Sequence, residues 1–284
     1  MKQRSAMFQT TVKRTVRAQG AALHAGATTR IALHPAETGA GIVFRRSDLA
    51  DDNLIKADPR NVVGAIIGVR LRNAAGAEAM TVEHFLAAAS LAGLDNAVVE
   101  IAAAELPIFD GSLRDFAALI DAAGLEQHEA ERRFIRIGKP ARVEEGDRFV
   151  EIAPGSGRRI SLSIDYPAPA IGRRAIELDL DDAATRARII FARTFCTRAD
   201  IDGMRAMGLA RGGSLDNAIV VDGARILNDG PLRDPEEFAL HKAADLVGDL
   251  ALLGAPFEGL VTAHKTGHEL NTRLSRRILE EAAA

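Results

Sequence analysis

The chain has 284 residues, room for two domains of about 130–150 residues each rather than a single core. Its 47% hydrophobic and 26% charged residues are the balance of a soluble globular protein, and a net charge of −3 leaves no basic field for nucleic acid or an anionic membrane. Trp is absent, Tyr occurs once and the only cysteine is Cys196, which excludes base-stacking platforms, an intramolecular disulfide and a cysteine-rich zinc site.

The first third reads as strands and turns. Val12–Ala18 and Thr28–Leu33 are β-prone runs around Gly20 and Gly26, and Gly39–Phe44 alternates. Val62–Leu71 is apolar and β-branched but interrupted by Gly64 and Gly68. The pattern changes at Thr81. Thr81-Val82-Glu83-His84 opens an Ala/Leu-rich run to Leu91, followed by Gly93, the composition of a helix capped by Thr81. Ala97–Ala102 then reads as a strand and Ser112–Ala123 as an amphipathic helix closed by Gly124. The charged stretch Gln127–Arg133 is the natural boundary, giving domains of residues 1–128 and 129–284.

The second half repeats this order. Phe134–Ile137, Val143, Phe149–Ile152 and Ile160–Ile164 read as strands, with turns at Glu145-Gly146-Asp147 and Pro154-Gly155. Ala187–Phe195 is the next strand expected and Ile201–Met207 a helix. Pro235–Leu253 is the longest helical pattern, ending at Gly254; Leu260–Ala263 is a strand and Leu270–Glu281 a terminal helix. A weak echo links the halves: Gly26 precedes Pro35 as Gly146 precedes Pro154, and each half builds towards a helix with a histidine near its start, His84 and His241. No run approaches the roughly 18–20 apolar residues of a membrane span. Met1–Thr11 lacks the apolar core of a signal peptide, so a soluble cytoplasmic protein is expected.

With one cysteine, any metal must take His and carboxylate ligands. His241 and Asp245 stand at i and i+4, so a helix would present both on one face. With seven His and 39 acidic residues about one such pair arises by chance, and spacing alone favours two polar residues on a solvated face. His84 would complete a His, His, Asp set with one tetrahedral position left for water, and Glu83 is a suitable base for its proton. His264 and His268 are also four apart, but Gly267 argues against a helix between them. His268 therefore reads as a loop-borne general acid or oxyanion partner, or else as a surface histidine. Gly212-Gly213-Ser214 lacks the Lys of a phosphate-binding loop, and Gly155-Ser156-Gly157 lacks the leading half of a nucleophile elbow. No Gly-x-Gly-x-x-Gly follows a strand. Cys196 reads as a buried core thiol.

Several longer motifs occur in order along nearly the whole chain. They are Gly20-Ala-Ala-Leu-His24-Ala-Gly26, Thr81-Val-Glu-His84, Glu105-Leu-Pro-Ile-Phe-Asp-Gly-Ser112, Arg193-Thr-Phe195 and Gly208-Leu-Ala-Arg-Gly-Gly-Ser-Leu-Asp-Asn217. Leu227-Asn228, Glu237-Phe-Ala-Leu-His241-Lys-Ala-Ala-Asp245-Leu-Val-Gly-Asp249-Leu250 and Lys265-Thr-Gly-His268-Glu-Leu-Asn271 follow. In these the sequence resembles the UDP-3-O-acyl-N-acetylglucosamine deacetylases, the zinc amidases of lipid A biosynthesis.

The resemblance implies an α+β fold of two related domains, each a layered sheet-helix sandwich, with the active site between them. It implies His84, His241 and Asp245 as ligands of zinc, with iron(II) an alternative in the cell, and Glu83 as general base. It implies His268 as the cationic partner of the oxyanion and leaving amine, oriented by Asp249, and Thr194 as an oxyanion hydroxyl. Lys242 and Lys265 match lysines near the sugar nucleotide, Tyr166 an aromatic that stacks on uracil, and Phe195 a wall of the sugar and acyl pocket. The implied reaction is hydrolysis of the N-acetyl group of an acylated UDP-N-acetylglucosamine, the committed step of lipid A synthesis, by a monomer in the cytoplasm. The apolar Ala187–Met207 segment offers material for an acyl passage or, equally, a core strand. The chain departs from the family pattern over Val62–Arg72, which leaves room for another acylated amino sugar. A non-catalytic sugar-nucleotide-binding homologue is the remaining alternative.

Overall fold

The computed structural model describes residues 8–283; residues 1–7, most of the stretch read as lacking a signal peptide, and Ala284 lie outside the described residues. The first half runs β1 (Phe8–Val12), β2 (Val16–Ala21), β3 (Thr28–His34), β4 (Ile42–Arg46), β5 (Leu54–Lys56), β6 (Val62–Gly64), β7 (Arg70–Arg72), β8 (Glu78–Met80), α1 (Glu83–Ala92), β9 (Ala97–Ile101), α2 (Arg114–Ala123) and β10 (Leu125–Glu131). The second runs β11 (Ile135–Arg136), β12 (Ala141–Glu145), β13 (Arg148–Ala153), β14 (Arg158–Asp165), β15 (Arg173–Asp179), α3 (Ala183–Phe191), β16 (Phe195–Thr197), α4 (Arg198–Ala206), β17 (Ile219–Asp222), β18 (Arg225–Ile226), α5 (Glu237–Ala251), β19 (Phe257–His264) and α6 (His268–Ala283). This is the mixed α+β architecture expected.

Each half builds its own sheet, and the two share one topology. The first has the order β2-β3-β9-β4-β5 and the second β12-β13-β19-β14-β15, with β11 added beside β19. In both, the central strand pairs antiparallel on one side and parallel on the other, through β3 and β4 on β9 and through β13 and β14 on β19. A helix leads into each central strand, α1 and α5, and another follows it, α2 and α6. The glycine–proline echo falls at equivalent places. Gly26 and Gly146 lie in the β2–β3 and β12–β13 turns, with φ of 72° and 60°, and Pro35 and Pro154 directly follow β3 and β13. Each half also inserts a small sheet between its fifth strand and its leading helix: β6-β7-β8 in the first, and β16-β17-β18 with α3 and α4 in the second.

The two leading helices pack on each other. Nearly all of α1 is buried, and so is α5 from Glu237 to Leu250 apart from the half-buried Lys242. Small residues (Ala87, Ala88, Ala243, Ala244, Gly248) allow the close approach. A Cβ on Gly248 would overlap the Glu83 backbone, with its carbonyl carbon at 2.9 Å and Cα at 3.1 Å. Phe44, Phe85 and Phe116 stack edge-to-face behind α1. Arg276 on α6 reaches across the halves and donates to the Pro59 carbonyl at 2.7 Å.

Several elements differ from the sequence reading. Val12–Ala18 is two strands, because β1 turns away to pair with β10 while β2 joins the main sheet. Gln127–Arg133 is largely strand rather than linker: its charges sit on the edge of the β1–β10 ribbon, which runs to Glu131. Ala187–Phe195 is not a strand. Helix α3 occupies Ala183–Phe191, started by the Asp182 carboxylate accepting the Thr185 N–H at 2.7 Å, and only Phe195–Thr197 is extended as β16. Thr81 does not cap α1. It adopts φ 58°, Val82 takes the cap position, and the Thr81 hydroxyl turns to Glu105. The α6 helix begins at His268 itself, directly after Gly267, so His268 is anchored on a helix rather than a loop.

Candidate active site

Glu83 and His84 are the first two residues of α1, and both are buried. Glu83 is gripped from the β6–β7 connection: its Oε2 accepts the Val69 N–H at 2.9 Å, and a Cβ on Gly68 (φ +103°) would sit 2.8 Å from Oε1. Burial pushes the Glu83 carboxyl above its ordinary 4.5, against the pull of His268. A carboxyl tuned upwards is suited to taking a proton near neutral pH.

One turn apart on α5, His241 and Asp245 face His84 across the helix contact. The ligand atoms of the three lie within 4.8 Å of one another, and all three residues are buried. His241 Nδ1 is 3.2 Å from the Ala192 carbonyl. A carbonyl can only accept, so Nδ1 carries a proton and Nε2 is the nitrogen turned towards the cluster. The Asp245 oxygens divide their tasks: Oδ1 lies 3.3 Å from His241 Nε2, while Oδ2 accepts from Lys242 Nζ at 2.7 Å. Burial opposes ionisation of Asp245, but Lys242, His241 and His268 together outweigh it and hold the carboxyl well below 3.8. Burial, then His241, pushes His84 down to about 3, leaving a neutral imidazole. Two imidazoles and one carboxylate converging on one point can hold a metal ion, and they leave a tetrahedral position open.

His268 closes the far side. Its Nδ1 donates to Asp249 Oδ2 at 2.9 Å, and its Nε2 stands 3.9 Å from both Glu83 Oε1 and Asp245 Oδ2. Asp249 lies one turn beyond Asp245 and also accepts from Asn271 Nδ2 at 2.8 Å. Burial works against charge on His268, yet Asp249 and then Asp245 prevail and raise it to about 10. His268 is therefore a cation at neutral pH.

Glu83, His84, Asp245 and His268 line a cavity of about 750 Å³. Thr194 lines it, its backbone fixed by bonds to Gly111 and Ile219. Phe195 lines it too, with Lys242 Nζ 5.7 Å from its ring centroid. Both insertions also wall it, with Ile66 from the first and Ile201, Met204 and Met207 from the second. Residues 194–207 thus supply much of the wall, whereas 187–191 belong to α3.

Two expected substrate residues stand apart. Tyr166 lies behind Phe195, ring centroids 5.3 Å apart, and does not line the cavity. Lys265 pairs with Asp147 at 2.6 Å on the β12–β13 turn. Cys196 is not core but half-buried in the cavity wall, where burial and then Asp200 push its thiol up to about 11. His264 bonds Ser163 at 2.8 Å and does not join His268. Residues that reading the sequence left without a role also surround the site. Asn271 donates to Asp249, and Arg193 and Glu237 pair with each other next to Thr194 and one turn before His241; each lay inside a quoted motif without a signal of its task.

A family profile described as "UDP-3-O-acyl N-acetylglycosamine deacetylase" matches residues 9–280. The chain belongs to this family. Among relatives named UDP-3-O-acyl-N-acetylglucosamine deacetylase, that of Phenylobacterium zucineum is 44% identical over 273 residues, covering 96% of this chain and 93% of the relative. That of Acidithiobacillus ferrooxidans is 42% identical, covering 95% and 90%, and that of Myxococcus xanthus is 42% identical, covering 98% and 88%. Membership makes the chain a hydrolase acting on amides, and the residues gathered above come from both halves of it. No described helix is long and apolar enough to cross a membrane.

Proposed function

We propose that this chain hydrolyses the N-acetyl amide of a UDP-3-O-acyl-N-acetylglucosamine, with zinc held by His84, His241 and Asp245, at the committed step of lipid A synthesis. The observation that carries the reading is the convergence of that trio with a buried carboxyl, Glu83, and a cation, His268, beside a large cavity. Zinc bound there would supply a Lewis acid that polarises the amide carbonyl and brings the pKa of water towards about 7. Iron(II) suits the same nitrogen and oxygen donors and is the alternative metal.

The chain's own groups divide the remaining work. Glu83, raised by burial, takes the proton of the attacking water. Protonated His268, held by Asp249, balances the charge that develops on the carbonyl oxygen, and the Thr194 hydroxyl donates to it. The departing nitrogen is protonated from within this pair, since Glu83 and His268 face the same space. Phe195 and Lys242 line the pocket for the sugar. Lys265 and Tyr166 are read as outer contacts to the nucleotide, Lys265 after leaving Asp147. The apolar wall from Ile66 to Met207 suits the acyl chain.

The same reading takes residues 1–128 and 129–284 as two domains, supported by a separate sheet in each half; the β1–β10 pairing carries the first on to Glu131. All the site groups come from one chain, which suits a monomer, and a nucleotide-linked substrate suits the cytoplasm. Acetate release from the acylated UDP-sugar tests the function. It should vanish on metal chelation, return with zinc, and fall about 10²–10⁴-fold in Glu83→Ala. Turnover surviving complete metal removal, or full activity in Glu83→Ala, would overturn the reading.

A further inference from the structure

We propose that Arg193 and Glu237 form a positioning clamp that locks the segment carrying Thr194 in register with the helix carrying His241. The inference rests on the roles given above to those two residues. Glu237 is fully buried, at the first position of α5, one turn before His241. Its Oε1 accepts from Arg193 Nε at 2.8 Å and from the Arg193 backbone N–H at 3.1 Å. Its Oε2 accepts from Arg193 Nη2 at 3.1 Å and from the Arg233 backbone N–H at 2.7 Å. Both oxygens are doubly used, and the guanidinium engages them as a fork, a geometry that fixes orientation as well as distance.

A buried ion pair seldom adds net stability over an apolar pair of similar volume, because desolvation offsets the attraction. What this pair adds is register. Three successive residues each meet a different part of the site. The Ala192 carbonyl accepts the His241 Nδ1 proton, Arg193 holds Glu237, and Thr194 enters the cavity with its N–H on the Gly111 carbonyl at 2.7 Å. His241 and Glu237 sit on one helix face. A shift of segment 192–194 along α5 would therefore turn the His241 ring and displace the Thr194 hydroxyl together. Arg193 and Glu237 touch neither substrate nor metal; they act through these neighbours.

Arg193→Lys keeps the charge and removes the fork. As a control, Arg132→Lys keeps the charge and removes the Nε–Oδ1 bond of the partly buried Arg132–Asp95 pair (2.7 Å), past the end of α1 opposite Glu83. Zinc affinity measured by chelator competition should weaken roughly 10- to 100-fold in Arg193→Lys, as for other partners of metal-bound histidines. At saturating zinc, kcat should fall about 10-fold with KM little changed. In the metal-free protein, hydrogen exchange at the Thr194 and Ile219 amides should quicken about 10-fold or more. Glu237→Gln should follow the same pattern. Arg132→Lys should lower Tm while leaving all three readouts unchanged. Wild-type exchange and zinc affinity in folded Arg193→Lys would overturn the clamp, as would equal changes in the control. If the wild type bound no zinc and released no acetate while Arg193→Lys still loosened the Thr194 amide, the clamp would stand and the functional reading would fall.

Discussion

Replacing Gly248 by alanine separates site geometry from stability. The new Cβ would lie 2.9 Å from the Glu83 carbonyl carbon and 3.1 Å from its Cα, against 3.4 Å for ordinary contact, with the carbonyl oxygen nearer still. These are backbone atoms on α1, and they yield only if the helix moves. Parting α1 and α5 by on the order of 1 Å relieves the overlap, at an overpacking cost of about 1–3 kcal/mol. Alanine in a helix interior recovers about 1 kcal/mol over glycine. The net loss of stability is then at most about 2 kcal/mol, a fall in Tm of a few degrees for a chain this long. Catalysis is less forgiving. The same movement carries Glu83 and His84 away from His241 and Asp245, and a misplacement of about 1 Å lowers rate by about 10²-fold, or 2.7 kcal/mol in the barrier. Acetate release and thermal unfolding on the same preparation decide the matter. Wild-type kcat in folded Gly248→Ala would refute the idea that this contact sets the distance between the two parts of the site.

Two further outcomes follow from protonation. His268 has its folded pKa raised from 6.5 to about 10, so the stability from its proton is complete below pH 6.5 and is lost as pH rises to about 10. Activity that needs the cation should fall only as pH approaches the folded value of about 10, and Asp249→Asn should move that basic limb towards neutral pH; a limb unchanged in the variant would count against the pairing. Cys196, raised from 9.0 to about 11, should alkylate at pH 8 about 100-fold more slowly than an unperturbed thiol, and labelling at the ordinary rate would contradict the desolvation and the Asp200 charge that raise it.

Local signals carried much of the architecture. β-prone composition marked the strands at 28–33 and 97–102, alternation marked that at 160–164, and helical patterning marked α2 and α5. They failed where tertiary pairing overrides composition. The charged strand β15 (Arg-Arg-Ala-Ile-Glu-Leu-Asp) has little apolar alternation and is held as a strand by its ladder with β14. The β-branched end of α3 reads as strand until Asp182 is seen to cap it.

At the site the division is sharper. Spacing within one helix is a local property, so His241 and Asp245 on one face could be anticipated from the chain alone. The motifs suggested His84, Glu83 and His268 through resemblance, but nothing local dictates that residues 157 positions apart should meet. That meeting depends on two sheets of one topology presenting equivalent helices, α1 and α5, to each other, and on a glycine small enough to let them touch. Charge was decided there too. His84 is neutral and His268 cationic, though both are histidines, because His84 is desolvated beside another imidazole while His268 has two carboxylates around it. Sequence determined which chemical groups the protein possesses and which local faces they share. Only the packed fold decided their distances, their partners and their protonation, since desolvation and Coulomb energy depend on neighbours that are distant in the chain.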